Sequence, residues 1–235
     1  VTTDRRIRWP ACRNVRDLGG LPTIDGQRVA RRALIRADGL DRLTPAGVEA
    51  VRRDGVCRII DLRSVEEARR YPSPFAGDPW CRSLPLIDPQ RELTRDLSVE
   101  RTALATYRGS VIRNAPSIAA TIAAIADAPA GTVVVHCAEG KDRTGMIVAL
   151  VLRVAGVPTE VIAQDYAYSA ECLGQPDSCA PETIVGMLSQ VDDLYGDISA
   201  YLHAHGLSGA QISRLRSRLG LPASGDSAVG RTPLA

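Results

Sequence analysis

Lysine is nearly missing from this 235-residue chain: Lys141 is the only one, and arginine supplies the rest of the 29 basic residues. Against 27 acidic residues the formal charge is only +2, so no long-range field toward nucleic acid is set up and nucleic acid is not an expected partner. No run of 18 or more apolar residues occurs. The nearest approach, 146–157, is broken by Arg153, so stable membrane insertion is not expected. Residues 1–10 are charged and polar, without the apolar stretch of a secretion signal. The expected location is therefore the cytoplasm, with secretion by a route that needs no such signal left open. None of the six cysteines (Cys12, Cys57, Cys81, Cys137, Cys172, Cys179) stands in a CxxC pair or at Cys/His ligand spacing. Neither metal nor cofactor is expected, and most of these thiols read as small apolar core residues. Cys172 and Cys179 flank a Gly/Pro loop and could pair only if oxidised.

What is present is ordinary globular composition, 45% apolar and 24% charged. That excludes a disordered chain, a collagen-like repeat and a disulfide-rich miniature scaffold. The length suits one domain over residues 1–221, followed by a small, polar, Gly/Pro-containing tail, 222–235, expected to be disordered. Strand signals sit at 56–62 (VCRIIDL) and 132–136 (TVVVH), with a third at 80–87 that Pro85 restricts to an edge or to its C-terminal half. Helix starts are marked by Thr44-Pro45, by the capping boxes Ser64-x-x-Glu67 and Ser208-x-x-Gln211, and by alanine-rich or apolar runs at 115–128, 144–155 and 159–170. Strands separated by helices predict an α/β domain with a mainly parallel central sheet flanked by helices.

The chemistry centres on HCAEGKDRTG, residues 136–145, between the TVVVH strand and an apolar helix. A Cys and an Arg six positions apart are not informative alone, and the chain contains a decoy. Cys57 and Arg63 share that spacing, but CRIIDLR has no glycine and reads as strand, which sets the two residues about 20 Å apart. Between Cys137 and Arg143, Gly140 permits a tight loop, and the helix beginning near Thr144 adds unpaired N–H groups and a positive dipole end. This is an anion cradle. Backbone N–H groups over Ala138, Glu139, Gly140 and Lys141, with the Arg143 fork, would hold the phosphate oxygens and stabilise a Cys137 thiolate. That thiolate can attack phosphorus in line, giving a phosphocysteine that water hydrolyses. Thr144 is placed to support the sulfur, and His136, ending a buried strand, reads as an orienting residue rather than a proton donor.

Around this loop stand RNVRDLGG (13–20), DLRSVEEARR (61–70), LPLID ending at Asp88, VIAQDYAYSA (161–170) and the stretch YGDISAYLHAHGLSGAQISRLRSRLG (195–220). In this order they resemble the cysteine-based phosphatase superfamily, and more closely its bacterial family typified by mycobacterial protein tyrosine phosphatase B. The resemblance spans roughly residues 12–220. It implies a tyrosine/dual-specificity-type phosphatase fold for the single domain, Cys137 as nucleophile, Arg143 as phosphate binder, and activity on phosphotyrosine, in some members also on phosphoserine, phosphothreonine or phosphoinositides. Asn14, Arg16 and Asp17 match the family's N-terminal motif and are expected to brace the active-site loops.

The leaving oxygen needs a proton. Asp88 is the first candidate because it ends the LPLI strand where the family carries its acid; a turn aspartate is the alternative reading. Asp142, inside the cradle, is the rival, and Asp61 is read as structural. Lys141 in its GK-x-RT context looks like lipid phosphatases, but Glu139 puts a negative charge where related loops often have a neutral residue, which argues against phosphoinositides. The segment between Asp88 and Tyr107 is short for this family, so an open mouth that admits bulky partners is expected. Three readings stand: a phosphatase of phosphotyrosine protein with dual specificity open, a dedicated small-molecule or phosphoinositide phosphatase of the same mechanism, and a phosphate-reading binding module. The partner is a phosphorylated protein or a small phosphomonoester.

Overall fold

The computed structural model describes residues 5–223. Five strands form one sheet: β1 (Arg16–Asp17), β2 (Leu34–Ala37), β3 (Val56–Asp61), β4 (Cys81–Ser83) and β5 (Thr132–His136), in the spatial order β1-β2-β5-β3-β4. Only β1 runs antiparallel to its neighbour. Among the described residues ten α-helices surround the sheet: α1 (Pro45–Arg53), α2 (Val65–Arg70), α3 (Pro89–Glu92), α4 (Ala103–Arg113), α5 (Ala115–Ala126), α6 (Asp142–Val154), α7 (Thr159–Leu173), α8 (Pro181–Tyr195), α9 (Ile198–Ala204) and α10 (Gly209–Arg218). This is the expected α/β architecture with a mainly parallel sheet.

Period-two alternation divides the strands between two apolar layers. Leu34, Ile60, Val133 and Val135 enter the larger core with α5–α10. Ile35, Ile59 and Val134 enter a smaller one with Trp9, Val51 and Phe75. α6 is the axis of the larger core: every residue from Thr144 to Leu152 is buried, as an apolar-all-round helix requires. The caps behave as read. Ser64 and Ser208 close capping boxes, and Thr44 caps α1 before Pro45.

Several boundaries move. The 80–87 strand shrinks to Cys81–Ser83 at the sheet edge, where Pro85 and the turn into α3 end it. α5 stops at Ala126, α7 continues to Leu173 before the left-handed Gly174, and α6 begins two residues early, at Asp142. β1 and β2 escaped notice, the first because it is two residues long, the second because Arg36 interrupts its short apolar run. α3, α4, α8 and α9 likewise lie outside the sequence-based expectations. Most of the expected tail, from residue 224 onward, lies outside the described residues.

Register decides where a ligand can sit. Ala37 and Asp61 both pair with His136, so the carboxyl ends of β2, β5 and β3 finish level. The loops that leave them converge beyond that edge, where open α/β sheets bind ligands.

Candidate active site

The loop from Cys137 to Lys141 leaves β5 and turns into α6. Gly140 makes the turn at φ +64°, and a Cβ there would lie 2.3 Å from the Ala37 carbonyl oxygen, so no side chain is tolerated. The loop carbonyls face the body of the protein and are held there. Ala138 O accepts from the Gly39 N–H at 2.9 Å and from Arg42 at 3.2 Å. Glu139 O accepts from Asn14 Nδ2 at 2.9 Å. Gly140 O accepts from Asn14 at 3.2 Å and from Arg36 at 2.6 Å. In a trans peptide the N–H is antiparallel to the C=O, so the amides of Glu139, Gly140 and Lys141 point to the opposite, concave side. The first turn of α6 adds its own unpaired N–H groups and dipole to the same rim.

Cys137, the first residue of the loop, is 2% exposed. Arg143 is held by both oxygens of Glu67, one of them 2.8 Å from Nη2. Burial works against its charge, but the Glu67 hydrogen bonds and the Cys137 sulfur raise its pKa further above the ordinary arginine range. Arg143 in turn lowers that of Glu67. The same carboxylate closes the Ser64 capping box, accepting from the Ser64 N–H at 2.8 Å, so the cap of α2 and the guanidinium of the cradle share one side chain. Thr144 is fully buried in the first turn of α6, and its hydroxyl has no hydrogen-bond partner among the described residues.

Behind the loop stands a buried ion cage. Asp165 of α7 accepts from Arg5 at 2.9 Å, Arg16 at 3.1 Å and Arg36 at 2.8 Å. Burial alone would raise its pKa, but the three guanidiniums hold the carboxyl far below the usual range. Arg36, wholly enclosed and next to Arg16, is pushed down to about 10. Arg16 also donates to Asn14 Oδ1, so the cage passes through Asn14 and Arg36 to the carbonyls of Glu139 and Gly140. Asn14 and Arg16 thus brace the loop. Asp17 does a different job: it accepts from the Gly19 and Arg32 N–H groups and shapes the turn between β1 and β2.

The other candidates separate by their partners. His136 is enclosed, burial lowers its pKa, and the neutral ring lies 3.2 Å from the Cys137 carbonyl through Nδ1 and 3.8 Å from Asp61 through Nε2. Asp61 is forked by Arg63, which also reaches Asp41, so both stiffen the β3–α2 turn. Cys57 meanwhile contacts the Thr132 carbonyl, and the decoy pair is dismantled. Asp88 caps α3, accepting from Gln90 N at 2.9 Å and facing Arg91 at 3.2 Å, while its own N–H donates to Asn114. None of these partners belongs to the cradle. Asp142 is the first residue of α6, half exposed, with Oδ1 2.6 Å from the Tyr107 hydroxyl and Oδ2 3.9 Å from Lys141 Nζ. Lys141 also lies 3.5 Å from Glu139, whose other oxygen accepts from Gln175 at 3.0 Å. All six cysteines are free thiols.

Residues 7–220 match the profile of the tyrosine phosphatase family. The chain belongs to that family. It is 29% identical over 246 residues to a tyrosine-protein phosphatase of Nostoc commune, an alignment that covers 91% of this chain and 79% of the relative. It is also 29% identical over 272 residues to the triple specificity protein phosphatase PtpB of Mycobacterium tuberculosis, covering 89% of this chain and 97% of that protein. As a tyrosine phosphatase the protein is a cysteine-dependent hydrolase. No helix among its described residues is long and apolar enough to cross a membrane.

Sequence reasoning passed over several residues of this tyrosine phosphatase's site. In the sequence Glu67 shows only as half of a capping box, and Asp165 and Tyr166 only as part of VIAQDYAYSA. Arg36 and Tyr107 carry no local signal, because each reaches the loop from a remote element.

Proposed function

We propose that the protein hydrolyses phosphotyrosine in proteins through a phosphocysteine at Cys137. The observation that carries this reading is the anchoring of the loop carbonyls to the protein body, which turns three amides to the opposite side for a phosphate before any substrate arrives, next to a buried thiol and with Arg143 held by Glu67. Such preorganised donors act where charge develops in the transferring phosphoryl group. Cys137 sulfur attacks phosphorus, the ester P–O bond breaks, and the leaving oxygen takes a proton. Water then displaces the sulfur, and the electron pair of the P–S bond returns to Cys137 as thiolate. The main-chain amides from Ala138 to Lys141 hold the oxygens; the Thr144 hydroxyl, which has no hydrogen-bond partner among the described residues, does not reach the sulfur in this state.

For the proton transfers the local geometry favours Asp142 over Asp88. Asp142 is next to Arg143 in the first turn of α6 with its side chain half exposed, whereas the Asp88 carboxylate is committed to the α3 cap and Arg91. Lys141 stands within 4 Å of both Glu139 and Asp142, so little uncompensated positive charge is left for a polyphosphorylated headgroup. A single monoester suits the site better.

The test is metal-free hydrolysis of phosphotyrosine peptide, phosphoserine peptide, phosphoinositides and sugar and nucleoside phosphates, with Cys137→Ser as blank. Turnover of the phosphotyrosine peptide that vanishes in the variant is expected; activity confined to a metabolite would overturn the protein-phosphatase reading. With alkyl phosphates, whose leaving groups need a proton, Asp142→Asn should lower turnover by about 100-fold and Asp88→Asn much less. The reverse order would return the acid to Asp88.

A further inference from the structure

Two buried phenols lie between the helical layer and the mouth of the cradle. Tyr107 comes from α4 and Tyr166 from α7, and their rings meet edge to face at 6.0 Å. The Tyr107 hydroxyl is 2.6 Å from Asp142 Oδ1 and 3.0 Å from the Tyr166 hydroxyl. Burial raises the pKa of both phenols, that of Tyr166 to about 12, so both keep their protons at working pH. A phenol has one proton to give. Because Tyr107 gives its proton to Asp142, Tyr166 must donate to Tyr107, and the chain runs in one direction: Tyr166 to Tyr107 to Asp142. The Tyr166 ring also packs on the first turn of α6, since a Cβ at Gly145 would lie 2.9 Å from its Cδ2. The relay is thus seated on the same turn that carries Asp142 and Arg143.

One Asp142 oxygen is occupied by this bond, which leaves Oδ2, 3.9 Å from Lys141 Nζ, as the oxygen not held by Tyr107. We infer that Tyr107 is a positioning residue for Asp142, holding Oδ1 so that Oδ2 receives the proton of the water that hydrolyses the phosphocysteine. In that step the water oxygen bonds to phosphorus, the P–S bond breaks with its electron pair returning to Cys137, and the water proton passes to Asp142 Oδ2. The inference rests on the phosphocysteine reading above.

The experiment is pre-steady-state and steady-state hydrolysis of p-nitrophenyl phosphate by Tyr107→Phe, which keeps the ring and its contact with Tyr166. Nitrophenolate leaves without needing a proton, so the first half-reaction does not use Asp142. The expected result is a kcat about tenfold lower with kcat/KM changed by less than about twofold, and a burst approaching one nitrophenolate per enzyme. Asp142→Asn should show the same split, and Tyr107→Phe added to it should cost nothing further. An equal fall in kcat and kcat/KM, no change in either, or additive losses in the double variant would each overturn the inference. If Tyr107→Phe does not fold, Tyr166→Phe removes the outer donor and must give the same split in smaller measure. A wild-type protein that releases no nitrophenolate, or a Cys137→Ser variant that releases it as fast, would instead sink the phosphocysteine reading itself.

Discussion

Glu67 shows how much one side chain can carry. Its carboxylate caps α2 through the Ser64 N–H and holds both terminal nitrogens of Arg143. Removing it leaves the helix with a weaker start and the guanidinium with no fixed orientation. Glu67→Gln keeps the shape and one hydrogen-bond acceptor but loses the charge-assisted fork. It should lower kcat/KM for p-nitrophenyl phosphate by about tenfold or more, since small misplacements of a phosphate clamp are costly, while leaving the melting temperature nearly unchanged because the side chain is one-third exposed. Equal activity in kinetic assays would mean that substrate alone orients Arg143. The Cys-x5-Arg loop is readable because Cys137 and Arg143 stand only six positions apart, between a strand and a helix start. Glu67 is not, because its partner is 76 positions away.

The β5–α6 turn works as a unit, and its weak point is Gly140. With φ at +64° and the Ala37 carbonyl where a Cβ would go, Gly140→Ala must break the contact between this turn and the end of β2. Backbone strain of this kind costs about 1–3 kcal/mol before the collision is counted. The predicted outcome is a folded but destabilised protein with activity lowered by 100-fold or more, checked by urea unfolding and by turnover; a variant that loses stability but keeps activity would show that the amides re-form around substrate. β2 itself was illegible for a physical reason. Four residues with an arginine in the middle look like a loop, and only the Asp165 cage makes Arg36 a core residue. The Thr44 and Ser64 caps were legible because a cap is decided by the three or four residues around it.

The ion cage ties the molecule together, since Arg5, Arg16, Arg36 and Asp165 come from the N-terminal segment, two strands and α7. Asp165→Asn leaves three enclosed guanidiniums short of their shared countercharge and should destabilise the fold by about 3–5 kcal/mol, measured by urea unfolding at neutral pH. The pH dependence has a definite sign. A carboxyl whose folded pKa is far below its unfolded value of about 3.9 binds fewer protons in the folded state over the interval between them. Its contribution is therefore complete above about pH 5 and declines as pH falls below about 4. The stability gap between wild type and Asp165→Asn should narrow over that acid range; a gap that stays constant would show that the cage does not depend on the carboxylate charge.

Local chemistry was enough to read the α/β class, the capped helix starts and the family resemblance, and to point to the loop of Cys137 and Arg143, because each depends on residues close together in the chain or on motifs kept in order. Tertiary structure alone decided which remote groups serve that loop. It brought Asn14 and Arg36 to the carbonyls, Glu67 to Arg143 and Tyr107 to Asp142, and it left Asp88 capping a short helix. Those pairings follow from strand register and helix packing. Both are set by long-range burial, for which a short stretch of sequence carries no local signal.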